Sequence, residues 1–401
     1  MTRGNQAFQR EVNTALVMRF LRHSARASRA EISRELGLTK STVSSIVSPL
    51  LSGRVLLEEE ETLPSTTKGG RRATALRLNP QYGTVLGIEL LPDTVRSVRL
   101  SLDGTVRRRG TGTPAHSANG SCSERPNNAF LDFVRAMLNK EILRADSSPL
   151  IGVSLGLPAY VRPTDGRIMR SFAFDADGIE LARPLAREYG IPVLVENDAN
   201  CLAWDELGGN THRNSAVQTL LALIVRMHRD PTGALKREGA GIGMGIVVDG
   251  RLHYGPDFQA GEFRSNRWKS GTAGQLSAGP AEGERETAYV SRLVAELFEN
   301  LSVVSSLLRP DRIVYGGDLL EMVSPVNHGV DEALSGRFID PAVSGVRLEP
   351  AQSGEYAVAQ GAAAMFIERL FELPSMTQQR AAGVPLWSEL IARGVAAEAG
   401  Q

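Results

Sequence analysis

The stretch SRAEISRELGLTKSTVSSIVSPLLSG, from Ser28 to Gly53, leaves the N-terminal part of this chain few ways to fold. Ser28 followed by Glu31 forms a capping box for a short helix, and Ala30, Ile32 and Leu36 give that helix a small apolar face. Gly37 permits a backbone turn that ordinary residues resist. Thr39 is placed to cap a second helix whose apolar residues Val43, Ile46, Val47 and Leu50 recur at helical spacing. The early positions of this second helix, Lys40, Ser41, Thr42, Ser44 and Ser45, are mostly short and polar, and its core does not need them. An inward apolar stripe with outward hydrogen-bonding side chains is the form of a recognition helix that reads base edges. The plainer alternative is an ordinary helical hairpin. Pro49 removes a helical hydrogen bond, so a kink or an early end is expected there.

The flanking residues extend the pattern. Residues 10–23 are amphipathic and supply the first helix of a three-helix core. Val55–Glu59 and Ala75–Leu78 form two strands around a polar loop that carries Lys68-Gly69-Gly70-Arg71-Arg72. This is the pattern of a winged helix. Its Gly70, Arg71 and Arg72 suit close approach to a narrow, negative minor groove; the alternative is a solvated wing whose charge serves solubility.

Charge sharpens the choice. The whole chain of 401 residues is formally neutral, which taken alone speaks against nucleic acid. Residues 1–80, however, hold 13 Lys+Arg against 7 Asp+Glu, and the remainder holds 32 against 38. A basic module is joined to an acidic body, and the basic end is where phosphates would be met. Cys122 and Cys201 lie far apart without metal spacing, and the six His residues are scattered, so no metal site is expected. The apolar run around Leu16–Leu21 is short and broken by Arg19, and nothing reaches membrane-spanning length. A cytoplasmic protein without membrane partners is expected.

After Asn79-Pro80 the texture changes to strands at Thr84–Leu91, Val95–Leu102 and Val106–Gly110. A helix at 128–144 and a buried strand at Leu150–Leu155 follow, then helix and strand through Leu181–Tyr189 and Val193–Val195. The plan recurs with strands at Thr219–Val225, Gly245–Val248 and Arg251–Tyr254, a helix at 286–308 and a strand at Arg312–Tyr315. Two such units predict a duplicated α/β body with a cleft between its lobes. The polar segment 228–238 reads as a surface loop near that cleft.

Four motifs in the body bear on chemistry. The ladder Gly239-Ala-Gly241-Ile-Gly243-Met-Gly245 suits a phosphate-holding loop or a plain hairpin. Glu196-Asn197-Asp198-Ala199-Asn200 opens a helix after a strand. There Asp198 suits a sugar hydroxyl, as ligand or as general base, or simply caps the helix. Glu262, in Gly261-Glu262-Phe-Arg-Ser265, is a second carboxylate, or a solvated loop charge. Gly316-Gly317 ends a strand where a nucleotide base or another backbone fits.

Together these residues resemble the ROK family (repressors, open reading frames, kinases), in particular the branch with a winged helix fused to a sugar-kinase-like body. The resemblance rests on Ser28–Leu51, Gly70-Arg71-Arg72, Leu86-Gly87-Ile88-Glu89 and Glu196–Asn200. It extends through the glycine ladder with Val248-Asp249-Gly250, Ala260-Gly261-Glu262, Val314-Tyr-Gly-Gly317 and Gly361-Ala-Ala-Ala364. It implies an actin-like, hexokinase-type duplicated two-lobed α/β body with an N-terminal winged helix-turn-helix domain. The expected division is 1–80 for DNA binding and 81–401 for the effector body, with lobe 1 at about 81–195 plus the C-terminal helix and lobe 2 at about 196–375.

Departures from the family pattern separate regulator from kinase. The phosphate loop Asp-Xaa-Gly-Gly-Thr of the family kinases is here Glu89-Leu90-Leu91-Pro92-Asp93, without a glycine and with a proline that has no N–H to donate. The family's Glu-Xaa-Gly-His becomes Glu262-Phe263-Arg264-Ser265, and 266–278 contains none of the cysteines of its zinc loop. The family's Pro-Gly near the sugar loop is altered to Leu157-Pro158-Ala159. These changes imply no zinc, no nucleotide cofactor and no catalysis, although Asp198, the base of the family kinases, is retained. The expected protein is a transcriptional regulator, a repressor of carbohydrate-metabolism genes. It contacts operator DNA through Lys40, Ser41, Thr42, Ser44, Ser45, Gly70, Arg71 and Arg72, and a sugar or sugar derivative through Asn197, Asp198 and Glu262. A homodimer or higher homo-oligomer is expected from two-fold operators. The alternative is an ATP-dependent sugar kinase with an appended DNA-binding module.

Overall fold

The structure, a computed structural model, describes residues 3–60, 74–114, 126–142, 144, 148–208, 218–230, 232–322, 346–374 and 384–392. It opens with α1 (Arg3–Ser24), β1 (Ala27–Ser28), α2 (Arg29–Leu36), α3 (Lys40–Ser52), β2 (Leu56–Glu60) and β3 (Thr74–Leu78). The three strands form a sheet in the order β1-β3-β2. Both halves of the Ser28–Glu31 capping box are made, Gly37 sits at φ 64°, and the Thr39 hydroxyl accepts from the Thr42 amide. Val43, Ile46, Val47 and Leu50 are the buried residues of α3. The helix does not end at Pro49. The Pro49 carbonyl still accepts from Gly53 N–H at 2.9 Å, and the one lost bond falls on the carbonyl of exposed Ser45. The loop with Gly70, Arg71 and Arg72 lies outside the described residues.

The body continues with β4 (Thr84–Leu90), β5 (Val95–Ser101), β6 (Val106–Gly112), α4 (Pro126–Ile142), β7 (Leu150–Leu157), β8 (Tyr160–Arg162), β9 (Arg167–Ser171), β10 (Ala176–Glu180), α5 (Ala182–Tyr189), β11 (Val193–Asn197) and α6 (Asp198–Gly208). The second half holds β12 (Leu220–Arg229), β13 (Leu235–Val248), β14 (Arg251–Leu252), α7 (Glu286–Leu308), β15 (Arg312–Gly317), α8 (Leu319–Met322) and β16 (Arg347–Pro350), and α9 (Ala357–Leu370) follows. Its two large sheets run β11-β7-β4-β5-β6 and β16-β15-β12-β13-β14. In each, three strands pair antiparallel and two more join parallel, so the duplication holds strand for strand.

Helices α9 and α6 lie between the sheets. α9 packs on β4, β5 and β7, α6 packs on β12 and β13, and the two helices touch each other. Small residues permit this closeness. A Cβ on Gly361 of α9 would collide with the Cys201 carbonyl of α6, and one on Gly245 of β13 would come within 2.5 Å of the Ala199 carbonyl. The outer face of the first sheet is covered by α4 and α5, and that of the second by α7.

Two expectations are corrected. Residues 228–230 and 232–238 lie at the surface as expected, but as the tip of the β12–β13 hairpin, paired as far as Arg229↔Leu235, and not as an irregular loop. Asp230 closes the turn by accepting from the amides of Thr232 and Ala234. The glycine ladder is likewise part of β13 itself. A third sheet, β10-β9-β8, shares the hydrophobic core of the first lobe through Val161, Ile168, Ala176 and Ile179; its strands are short and lack plain alternation.

The winged helix is not hung on a free linker. Val17, Met18, Leu21, Val47 and Leu50 share one hydrophobic core with Phe366, Leu370 and Phe371 at the end of α9, and with Val384, Trp387 and Leu390. Arg22 of α1 bonds Glu368 of α9 at 2.6 Å and stacks over the Phe371 ring, which meets Trp387 edge-on.

Candidate functional site

The cleft is built around the start of α6. β11 runs parallel to β7 and ends where Asn197 hands the chain to the helix. The Asn197 side-chain oxygen accepts from the amides of Ala199 and Asn200 at 2.9 and 3.2 Å, and its amide donates to the Ala159 carbonyl at 3.1 Å. Asn197, and not Asp198, therefore makes the main cap. Asp198 uses one oxygen on its neighbour's amide, while its Oδ2 has no hydrogen-bond partner and lies 3.8 Å from Arg226 Nε. Burial pushes the Asp198 carboxyl up to about 6, against the pull of Arg226 and with the push of Glu89.

Glu262 reaches the same place from the second lobe. Gly261 accepts from the Met244 amide at 3.0 Å, and Glu262 bridges to Gly243, so β13 fixes its position. Burial and the nearby Asp198 push its carboxyl up to about 7, while the facing Tyr160 hydroxyl opposes the shift. A small, narrow cleft is lined by Asn197, Asn200, Met244, Phe258, Ala260 and Glu262 among others. The three effector candidates thus come together: Asn197 and Glu262 in the wall, and Asp198 close enough to bias Glu262. Asn200 and Tyr160 belong to the same neighbourhood and were not singled out from the sequence; the alternation of β8 gives no sign that Tyr160 faces a carboxylate.

Behind the wall lies Glu196, fully buried. It accepts from Tyr254 Oη at 2.8 Å, from Asn200 Nδ2 at 3.0 Å and from the Asn197 amide at 3.0 Å. Burial raises its carboxyl above the ordinary value, and Arg369 of α9, 3.8 Å away, opposes this. Arg369 also donates to Tyr254 Oη at 3.2 Å.

The segment Glu89-Leu90-Leu91-Pro92-Asp93 does not fit a nucleotide. Glu89 side-chain exposure is 0 %, and Arg226 of the opposite lobe donates to it, as does Arg96 at 3.1 Å. Arg96 continues to Glu355 at 3.2 Å. The Leu91 amide is spent on the Thr94 carbonyl at 2.9 Å and Pro92 has no N–H, so neither of these positions can donate to a phosphate. An ion pair within the protein joins the two lobes here. The glycine ladder offers no phosphate cradle either, because Gly243 and Gly245 are pressed against Ala199 of α6.

The residues after Ser265 do not fit zinc, which needs thiolate or imidazole ligands. Gln275 holds this segment instead, accepting from the Ile242 amide at 2.6 Å and donating to the Ile242 and Phe263 carbonyls, both at 2.8 Å. Asn300 and Trp268 add further bonds. Among the described residues no group of His, Cys, Asp and Glu is arranged to hold a metal ion.

On the winged helix, Lys40, Ser41, Ser44 and Ser45 are exposed and Thr42 is half-buried. The hydroxyls of Ser41 and Thr42 meet Thr39 Oγ1 at 2.9 and 2.8 Å, and Ser45 Oγ donates to the Thr42 carbonyl at 2.8 Å.

The ROK family model matches residues 115–266, which span α4, β7 to β11, α6, β12 to β14 and the Glu262 segment. Over those residues the chain is similar to a ROK family domain. A ROK family transcriptional regulator, a homologue of the E. coli MLC protein, superposes with a TM-score of 0.66 at 15% identity, covering 96% of this chain and 100% of that one. A ROK family glucokinase from Streptomyces griseus gives 0.52 at 16% identity, covering 71% of this chain and 99% of the other. These likenesses establish the ROK fold. A xylose repressor from Caldicellulosiruptor bescii is 24% identical over 65% of this chain and 59% of its own length. The chain therefore spans about three fifths of that relative. No helix among the described residues is long and apolar enough to cross a membrane.

Proposed function

We propose that this chain is a DNA-binding transcriptional regulator, a repressor of carbohydrate-metabolism genes whose ROK body senses a sugar or sugar derivative without phosphorylating it. The observation that carries the reading is the Glu89–Arg226 ion pair. Phosphoryl transfer depends on positioned phosphates and on stabilisation of their charge; here an arginine and a carboxylate of the protein itself join the lobes. Similarity to xylose repressors and to a ROK regulator supports the same reading.

In this reading residues 1–80 bind operator DNA through Lys40, Ser41, Thr42, Ser44, Ser45 and the Gly70-Arg71-Arg72 wing. The body, 81–401, takes the effector between Asn197, Asp198 and Glu262. Two chains pair to match a two-fold operator. Helix α9 transmits the signal. Arg369 faces Tyr254 and Glu196 behind the cleft wall, and the preceding residue, Glu368, holds Arg22 of the winged helix. An effector that favours one arrangement of α6 and α9 biases the orientation of the winged helices, which is allostery by differential binding. A thermal-shift screen of sugars and sugar phosphates tests the body's role, because a ligand of the folded state raises its apparent stability.

One observation favours the kinase alternative: Asp198 is retained, its Oδ2 has no hydrogen-bond partner, and its carboxyl is raised to about 6. Such a group suits a general base. Phosphate positioning is the part that this cleft does not supply.

A further inference from the structure

The sheet β10-β9-β8 carries an exposed aromatic residue in one of its turns. Phe172, in the turn between β9 and β10, is 71 % exposed, the second most exposed of the large apolar side chains among the described residues. A lone exposed apolar side chain is ordinary on a protein surface and carries no argument by itself. The ring is nevertheless built into place. The Arg170 guanidinium lies 5.1 Å from its centroid and is itself fixed by Asp177 at 3.2 Å and Asp175 at 3.6 Å. Tyr160 meets the ring in an edge arrangement at 6.3 Å. Tyr160 in turn faces Glu262, and its chain neighbours Ala159 and Val161 line the cleft. The aromatic pair is thus continuous with the cleft and lies outside it.

Resting on the sugar-binding reading above, we propose that Tyr160 and Phe172 form a second subsite at the cleft mouth, taking the aglycone or second ring of a glycoside. The effector class is then a glycoside or oligosaccharide, with its first ring at Asn197 and Glu262. Two observations argue for this occupant. The wall sets the Asn197 and Asn200 carboxamides and the Glu262 carboxylate beside apolar Met244 and Phe258, suited to the hydroxyls and faces of a first ring, whereas the Tyr160–Phe172 pair beyond it offers mainly aromatic surface, as a second ring or aglycone requires. The ring already rests against Arg170 and Tyr160 before any ligand arrives, so part of its ordering is done in advance.

The test is calorimetric titration of the full chain with matched methyl and phenyl glycosides of glucose, xylose, mannose and N-acetylglucosamine, in both anomers. For any pair that binds, the phenyl member is expected to bind about three- to tenfold more tightly, the range one aromatic contact supplies. Phe172→Ala is expected to erase that ratio, and Phe172→Trp to keep it. The exposed position makes loss of folding a poor explanation, and the Trp variant controls for it. Methyl and phenyl members binding equally, or a ratio unchanged in Phe172→Ala, would overturn the subsite while leaving the sugar-binding reading intact. Binding of free monosaccharides but of no glycoside would do the same. If no sugar or glycoside binds at all, the sugar-binding reading and the subsite fall together.

Discussion

Arg22 of the winged helix and Glu368 of α9 meet at 2.6 Å, with the arginine side chain only 5 % exposed. The next residue along α9, Arg369, points to Tyr254 and Glu196 behind the ligand cleft. One turn of one helix therefore touches both the proposed sensor and the proposed output. Glu368→Gln leaves Arg22 buried beside Phe371 without its charge partner and is expected to cost about 1–3 kcal/mol of stability. Its specific effect is on coupling: operator binding persists, but the effector's influence on it shrinks from about tenfold to less than about threefold. Operator titrations of wild type and variant, each with and without effector, measure this. An undiminished effector response in the variant would remove α9 from the relay.

Glu262 gives a pH signature. An acid whose folded pKa exceeds its unfolded value holds its proton more tightly when folded. Its contribution therefore favours the fold at low pH and is lost as pH rises from the ordinary carboxylate value through about 7. Thermal unfolding of the wild type should lose more stability between about pH 5 and about pH 8 than Glu262→Gln does. Parallel curves for the two proteins would contradict the buried, Asp198-coupled carboxylate. A sugar hydroxyl that donates to ionised Glu262 should also bind more tightly above about pH 7 than below it.

The winged helix was largely legible in the sequence because its signals are local. Ser28 with Glu31, Gly37, Thr39 and the Val43–Leu50 stripe each act within a few residues. The duplicated body was legible for a similar reason, its strands being apolar runs of the expected length. What escaped was long-range. Nothing near Arg226 in the chain announces Glu89 as its partner, 137 positions away. The glycine ladder was misplaced because its glycines answer to a helix packed from across the sheet, Ala199 against Gly245. Pro49 looked like a stop because its one lost bond is conspicuous, whereas the bond its carbonyl keeps to Gly53 is not.

The wing makes its own demand. Replacing Arg71 and Arg72 by Ala should weaken DNA binding and reduce the salt slope of log affinity by about 1.8, the value for two phosphate contacts. Replacing Thr42 or Ser44 should change which sequences are preferred more than overall affinity. An unchanged slope in the first experiment, or a uniform loss in the second, would count against these residues as DNA contacts.

Incubation with Mg-ATP and common hexoses and pentoses should yield no sugar phosphate. Arg226 and the Glu89 carboxylate join the lobes, and the Leu91 amide is spent within its own turn. Turnover abolished by Asp198→Asn would restore the kinase reading.

The central claim is that the cleft governs the winged helix. The direct measurement is the affinity of the full chain for a duplex selected from random DNA by the protein itself, with and without the sugar or glycoside giving the largest thermal shift. A change of at least about tenfold at saturating ligand is expected, a coupling near the middle of the usual allosteric range. A ligand that stabilises the body yet leaves operator affinity unchanged would contradict it.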